Sequence, residues 1–459
     1  MAVKSERSLH STEDLAAEPV FSLFFKHFFP ICIGMLVVGL FNLIDGLFIS
    51  HFVGELALGA VAVAFPIQMA IAALAAMLSA GMATQVTRQL GAGKRKKAGV
   101  IIGHTLQIVF ILSIILLLLG WLYPLEIINW LSADPLFKAD AYAYLRPIVL
   151  FSFVAILLPV LGDIFRAEGQ PHRLMILMLT ASGLNILLDY LFIALFDWGV
   201  AGASKATIVS QAATIVLAIY MLCSKDRYTR IFFTVDFKAW LPILAVGAPI
   251  LITQLCLGWQ TAIMNIQLMK TAGENWVIAY GMLGRVLAFA TLPMIAMLVT
   301  FQTICAYNLA AKRSVRVRET IKVALGSMML YAILLVLILV SFASGIMAWF
   351  TEQPVLISQG QTMIQSALWG LPLIAIMLIA SGFYQSIGDA LRASFYSALR
   401  VIFVFTPLLL ILPLWFHIQG IFMAIVSADI IAALITCVLC WLHYNKYSVS
   451  KLEGPDAID

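Results

Sequence analysis

The chain is poor in charge. Only 11% of its 459 residues are Asp, Glu, Lys or Arg, against about 25% in soluble proteins. With 63% of the residues apolar, no soluble fold of this length could hide its apolar surface, which excludes an ordinary soluble enzyme. A disordered scaffold is excluded for the same reason. The six cysteines (Cys32, Cys223, Cys256, Cys305, Cys437 and Cys440) all lie in apolar segments or at their ends. Cys437 and Cys440 have metal-like spacing but no second pair nearby, so neither a metal nor a structural disulfide is expected. Ser-His-Asp, zinc and nucleotide motifs are missing. Gly91-Ala-Gly93 has no strand before it and is read as a turn, not a phosphate loop. These absences argue against an enzyme, and against ATP-driven transport by this chain alone.

What the chain has is hydrophobic length. Apolar runs fall at about 22–52, 57–86, 98–123, 140–167, 171–196 and 200–223, and again at 240–269, 276–306, 319–349, 357–386, 391–415 and 419–443. Each is long enough for a membrane helix, which needs about 20 apolar residues. The fold class is therefore all-α integral membrane, with twelve transmembrane helices. The first run is too long for a signal-peptide core and lacks a cleavage site. Residues 1–21 are read as a cytoplasmic tail, 22–223 as an N-lobe, 224–239 as a cytoplasmic linker, 240–445 as a C-lobe and 446–459 as a second tail. If the N-terminus is cytoplasmic, 23 of the 28 basic residues fall on the cytoplasmic side, among them Arg95, Lys96, Arg313, Arg392 and Arg400. By the positive-inside rule both termini are cytoplasmic. The net charge of +5 sits in short loops and not on one soluble face, so no nucleic-acid partner is expected.

The two halves repeat. A constant offset of 219 places Pro30 on Pro249, Gly54-Glu55 on Gly273-Glu274, Leu90 on Leu309, the stretch Asn129–Pro135 on Ala348–Pro354, and Gly169 on Gly388. Near runs 6 and 12 the offset becomes 218, placing Gly202 on Gly420. Six helices per half give both halves the same orientation, a parallel repeat about an axis along the membrane normal. Such pairs enclose a central cavity that can open to either side, so alternating-access transport is the expected mechanism.

The repeat breaks at polar residues. Asp45 falls on Met264, Asn185 on Phe403, Asp189 on Pro407 and Thr207 on Ile425. The scaffold does not need these groups, because the second half does without them. A carboxylate inside the membrane costs about 2.5 kcal/mol or more unless paired or protonated, and marks a functional site by default. Asn185 and Asp189 share one helix face. Two nearby carboxylates in low dielectric cannot both ionise cheaply, so one retains a proton near neutral pH; the same oxygens could ligate Na⁺. The plainer reading is that each polar group satisfies a helix end. Pro30 removes a backbone hydrogen bond in run 1 and kinks it, so that run could bend as Asp45 gains or loses a proton.

At these residues the chain resembles the multidrug and toxic compound extrusion (MATE) family. The resemblance covers residues 20–445 and rests on several motifs: Asn42-Leu-Ile-Asp45-Gly-Leu-Phe-Ile-Ser50, the basic loop after Gln89–Gly93, Arg166-Ala-Glu-Gly-Gln-Pro171, and Asn185-Ile-Leu-Leu-Asp189 followed by Gly199–Ala203. It looks closest to the DinF-like branch. The resemblance implies a MATE/MOP-type fold of two six-helix bundles in a bacterial inner membrane. It also implies that Asp45, Asn185, Asp189 and Thr207 form the cation-coupling site, joined by Tyr144. The function implied is export of amphipathic, often cationic drugs driven by inward H⁺ or Na⁺, H⁺ being preferred here. No cofactor is implied beyond the coupling ion. Run 7 carries no acid, only Gln254, Gln260 and Asn265, which argues against coupling in the C-lobe; Asp429 in run 12 leaves that point open.

Polarizable side chains suit varied ligands. Gln68, Met69, Phe153, Gln254, Met282 and Arg285 are the substrate-cavity candidates, although most such residues in membrane helices simply pack or face lipid. Arg285 is expected to line the C-lobe cavity, to pair with Asp429, or to snorkel to the interface. Asp163 and Arg166 are read as a gate or loop-fixing pair, and His104 as an interface residue. A lipid-linked saccharide flippase shares the two-bundle design but needs a more cationic cavity for a pyrophosphate. A passive channel conflicts with buried carboxylates. Besides the drugs and the membrane lipids no partner is expected, and the chain is read as a monomer.

Overall fold

The computed structural model describes residues 18–53, 55–122, 135–224 and 229–446. Both tails, Gly54, the Asn129–Asp134 part of the repeat and linker residues 225–228 lie outside the described residues. The chain divides into two compact units, one of Phe25–Gly247 and one from Ala248 on that also takes Pro19–Phe24.

The first unit is built from α1 (Val20–Phe48), α2 (Glu55–Gly91), α3 (Arg95–Leu122), α4 (Pro135–Leu150), α5 (Ser152–Ala167), α6 (Pro171–Asp189), α7 (Gly199–Leu222) and the start of α8 (Trp240–Ala272). The second continues α8 and adds α9 (Glu274–Ala290), α10 (Leu292–Ala310), α11 (Ser314–Ser341), α12 (Ala343–Ala348), α13 (Pro354–Ala367), α14 (Leu371–Ile387), α15 (Ala390–Ala398), α16 (Thr406–Ile411) and α17 (Pro413–Lys446). Among the described residues there is no strand. Ten helices are long and apolar enough to cross a membrane, and twelve spans result if the bent pairs α4–α5 (51°) and α13–α14 (57°) each count as one. The expected all-helical, twelve-span architecture is what the chain forms. The most apolar windows of the ten unbroken spans have mean hydropathies of 1.5 to 2.7, yet only 28 to 44% of each is buried within the protein. The rest of that apolar surface needs lipid as its solvent.

The repeat reappears as backbone geometry. Gly93 (φ 72°) and Lys312 (φ 57°), Gly169 (φ 78°) and Gly388 (φ 89°), Gly199 (φ 56°) and His417 (φ 49°) all adopt positive φ, and each pair is related by the sequence offset. At Gly93 the turn closes by Lys94 N–H donating to Gln89 O (2.8 Å); at Lys312, Arg313 N–H donates to Asn308 O (2.9 Å). Left-handed φ is costly for a side chain other than glycine, so Lys312 and His417 keep these turns against their own preference. Packing repeats as well. In the first unit α2 lies against α3, α4 and α5; in the second α10 lies against α11 and α14, and α9 against α13.

Three helices change to π-helical winding: α1 at Ile49–Val53, α6 at Tyr190–Leu195, and the α15–α16 span at Leu399–Phe405. Such stretches add a residue per turn, re-aim side chains and are frequent at functional sites. α1 runs unbroken through Pro30.

The described part of the linker lies along α3. Phe232 N–H donates to Gly99 O (3.2 Å), Gln107 Nε2 donates to Thr234 O (3.0 Å), and His104 Nε2 meets Thr234 Oγ1 at 2.9 Å. Backbone carbonyls of Arg230 and Phe232 press where Cβ atoms on Gly99 and Gly103 would stand, so only a Gly-x-x-x-Gly face admits the strap. His104, 2% exposed, is accounted for by this contact.

Candidate functional site

The first unit gathers the acidic residues singled out by the broken repeat. Asp189 closes α6 directly before its π-helical stretch and is fully buried (0% exposed), and Asn185 one turn earlier is 2% exposed. Asn185 Nδ2 donates to Asp189 Oδ2 at 3.3 Å. The α1 residue Asp45, half-buried, brings its carboxyl within hydrogen-bonding reach of that of Asp189. Tyr144 on α4 is buried beside both, its hydroxyl donating to Gln68 Oε1 on α2 at 3.5 Å. Four helices therefore converge on two carboxyls. Asp45 Oδ1 and Asp189 Oδ1 are buried and have no donor among the described residues. Two carboxylates facing each other carry no proton of their own to share, and buried charge without a partner is too costly to persist.

The Thr207 hydroxyl donates to Ala203 O within α7 at 3.1 Å. Gln68, a substrate-cavity candidate, accepts from the Tyr144 hydroxyl. Met69 and Phe153 are exposed. At the inner end of the unit, Arg166 forks onto Asp163 (2.8 and 2.9 Å), and Ser79 Oγ donates to Asp163 Oδ2 at 2.5 Å. The pair ties α2 to α5.

The second unit holds a different cluster. Asp429 on α17 is 1% exposed and is paired with Arg400. The guanidinium also donates through Nη1 to Gln260 Oε1 on α8 at 2.9 Å. This corrects two expectations. Arg285 is not the partner of Asp429; it is exposed on α9. Arg400 is not a loop charge; it lies in the π-helical stretch Leu399–Phe405, inside an apolar span. A positive-inside count mistakes it because it lies near the start of its run, where a loop residue would also sit. Its signal was available in part: Arg400 lies about ten residues into run 11, and Asp429 is an acid in the middle of run 12. Gln254 lines an open groove of about 620 Å³ with Trp259, Ala262, Ala398 and Ile402. Met282 packs half-buried against the core of the second unit.

A polytopic helical fold, an internal sequence repeat and acids buried among the helices are features of a membrane transporter. The MatE family model matches twice, over residues 30–191 and 249–411, opening each time at one of the repeat-related prolines. The chain belongs to the MATE family. It is similar to the multidrug export protein MepA of Staphylococcus aureus (strain MRSA252), 23% identical over 95% of this chain and 96% of the relative. It is also similar to MepA of Staphylococcus saprophyticus subsp. saprophyticus, 25% identical over 94% and 96%. Among solved structures, one described as the outward-facing conformation of a multidrug resistance MATE family transporter of the MOP superfamily superposes with a TM-score of 0.89 at 24% identity, covering 96% of this chain and 98% of that one. A MOP superfamily transporter from Pyrococcus furiosus, for which a reversed pocket polarity suggests a different function, matches equally well.

Proposed function

We propose that the chain is a secondary active multidrug exporter of the DinF-like branch, exchanging amphipathic, cationic compounds for inward-moving H⁺, rather than Na⁺, by alternating access. The observation that carries this reading is the Asp45–Asp189 pair: the Oδ1 atom of each is buried with no hydrogen-bond partner among the described residues, while Asp189 Oδ2 accepts from Asn185 Nδ2. A pair that needs one positive charge can take it as H⁺ or Na⁺, or lose it when a cationic drug arrives. Asn185 and Tyr144 hold the two carboxyls in register, and Thr207 borders the site from α7. Gln68, Met69 and Phe153 line the substrate path in the N-lobe, and Gln254, Met282 and Arg285 in the C-lobe. With Pro30 denying α1 one backbone bond, protonation of Asp45 alters the bend of that helix; equal bend angles in protonated and deprotonated structures would remove this part of the account. The protein works as a monomer in the bacterial inner membrane with both termini cytoplasmic. The family and the donorless pair both favour transport over catalysis.

The test uses everted vesicles holding a pH gradient in Na⁺-free buffer. Adding organic cations collapses the gradient with the wild-type chain and not with Asp45→Asn or Asp189→Asn. If the gradient does not collapse but added Na⁺ restores drug movement, Na⁺ is the coupling ion. If Na⁺ has no effect either, the lipid-linked saccharide flippase becomes the better account.

A further inference from the structure

The Arg400–Asp429 pair has no part in the proposed coupling and is costly to keep. A buried ion pair is on average no more stabilising than apolar side chains of the same volume, and in a membrane span such charges mark function by default. Here the second unit is shaped around the pair. Gly370, at the break between α13 and α14, leaves the space that the Asp429 side chain fills; a Cβ on that residue would collide with the carboxyl. The π-helical winding at Leu399–Phe405 carries Arg400, and Gln260 on α8 holds its outer nitrogen. Tyr280 on α9 lies close to the guanidinium and bonds Thr261. The spans involved (runs 7, 8, 10, 11 and 12) largely match those of the N-lobe cluster, whose residues come from runs 1, 2, 4 and 5, with Thr207 on run 6. Both units thus carry a buried acid among corresponding helices, but only the second unit's has a cation built into the chain.

We propose that the C-lobe contains a second cation site whose occupant is the protein's own Arg400, so that this transporter takes its coupling ion in the N-lobe alone. This rests on the cation-coupled reading above. A guanidinium is always charged, so Asp429 is never offered to H⁺ or Na⁺. On α17 itself lie His417, Cys437 and Cys440. Tyr384 and Tyr396, from helices beside it, form a separate cluster with Cys440: the two rings stack at 5.2 Å, Cys440 Sγ is 3.8 Å from Tyr396 Oη, and Arg392, over the Tyr384 ring, pairs with Asp389. Arg400 is the cation paired with Asp429.

The test is infrared difference spectroscopy on the purified full-length chain across pH, with and without Na⁺. Wild type shows protonated-carboxyl bands from the N-lobe pair only, lost in Asp45→Asn/Asp189→Asn. Arg400→Gln strands Asp429, which neutralises itself by taking a proton, so about one further acid band per chain appears. Na⁺ diminishes that band if the freed site also accepts the metal, and Arg400→Gln/Asp429→Asn lacks it. An Arg400→Gln spectrum identical to that of Arg400→Gln/Asp429→Asn overturns the proposal whatever the N-lobe does, whereas missing N-lobe bands would count against the coupling reading alone. Should Arg400→Gln not fold, Arg400→Met/Asp429→Leu decides: it keeps the wild-type number of cations exchanged per drug molecule. Loss of export in a folded protein of that kind makes the pair part of transport itself and overturns the assignment.

Discussion

The two lobes answer the same problem in opposite ways. Each buries an aspartate within corresponding helices of one repeat. In the N-lobe Asp45 and Asp189 lie together, with Asn185 as an amide neighbour and no cationic side chain in contact among the described residues. In the C-lobe Asp429 faces Arg400. On the proposed reading the first is completed by a cation from solution, whereas the second carries its own in Arg400. The halves repeat but their acids do not: Asp45 and Asp189 fall on Met264 and Pro407, and among the described residues the second half sets a guanidinium against its own buried acid. A functional acid in such a pair is therefore recognised less by its burial than by what the chain leaves unpaired around it.

The comparison can be broken most sharply at the acids. Asp189→Asn or Asp45→Asn brings drug-driven collapse of a pH gradient down to the level of protein-free vesicles, whereas Asp429→Asn, made together with Arg400→Gln, leaves it standing. Stability runs the other way. Removing Arg400 alone strands a buried charge and costs roughly 3–5 kcal/mol, read as a lower unfolding midpoint in detergent, while Arg400→Met/Asp429→Leu recovers most of it. Asp189→Asn is close to neutral or stabilising in the same assay, because it relieves a pair that wanted a proton. Tyr144→Phe deletes only the hydroxyl bond to Gln68, a contribution of about 1 kcal/mol, and lowers initial transport rates by up to about tenfold. Thr207→Val has the smallest effect, since that hydroxyl already donates to Ala203 O; a rate within about threefold of wild type is expected, the hydroxyl's bond being local to its own helix.

Much of this was legible in the sequence. Length and apolar count fix a multi-span bundle, and the offset between Pro30 and Pro249 announces two like halves, because duplicated helices keep prolines and turn residues where the backbone needs them. Asp45 and Asp189 stand out because the second half lacks them. What the sequence could not supply was partnership. Arg400 reads as a loop charge until the helix is seen to continue past it in π winding. Gln68 reads as lining a cavity, with no sign that Tyr144 donates to it. Thr207 reads as a ligand at the right depth, yet its hydroxyl turns back onto its own helix, as threonines in membrane helices often do. The Gly99 and Gly103 spacing was visible, but what lies on it, the linker strap, depends on chain direction after residue 228. Periodicity gives faces and depth; it does not say which side chain on a neighbouring helix arrives at a given atom.

The central claim is that the coupling cation is bound in the N-lobe and nowhere else. The most direct measurement counts protons released into weakly buffered solution when tetraphenylphosphonium is added to the purified chain. Wild type releases protons, and the Asp45→Asn/Asp189→Asn double variant releases none while Arg400→Gln/Asp429→Asn matches wild type. Proton release that survives the loss of both N-lobe aspartates would contradict the account.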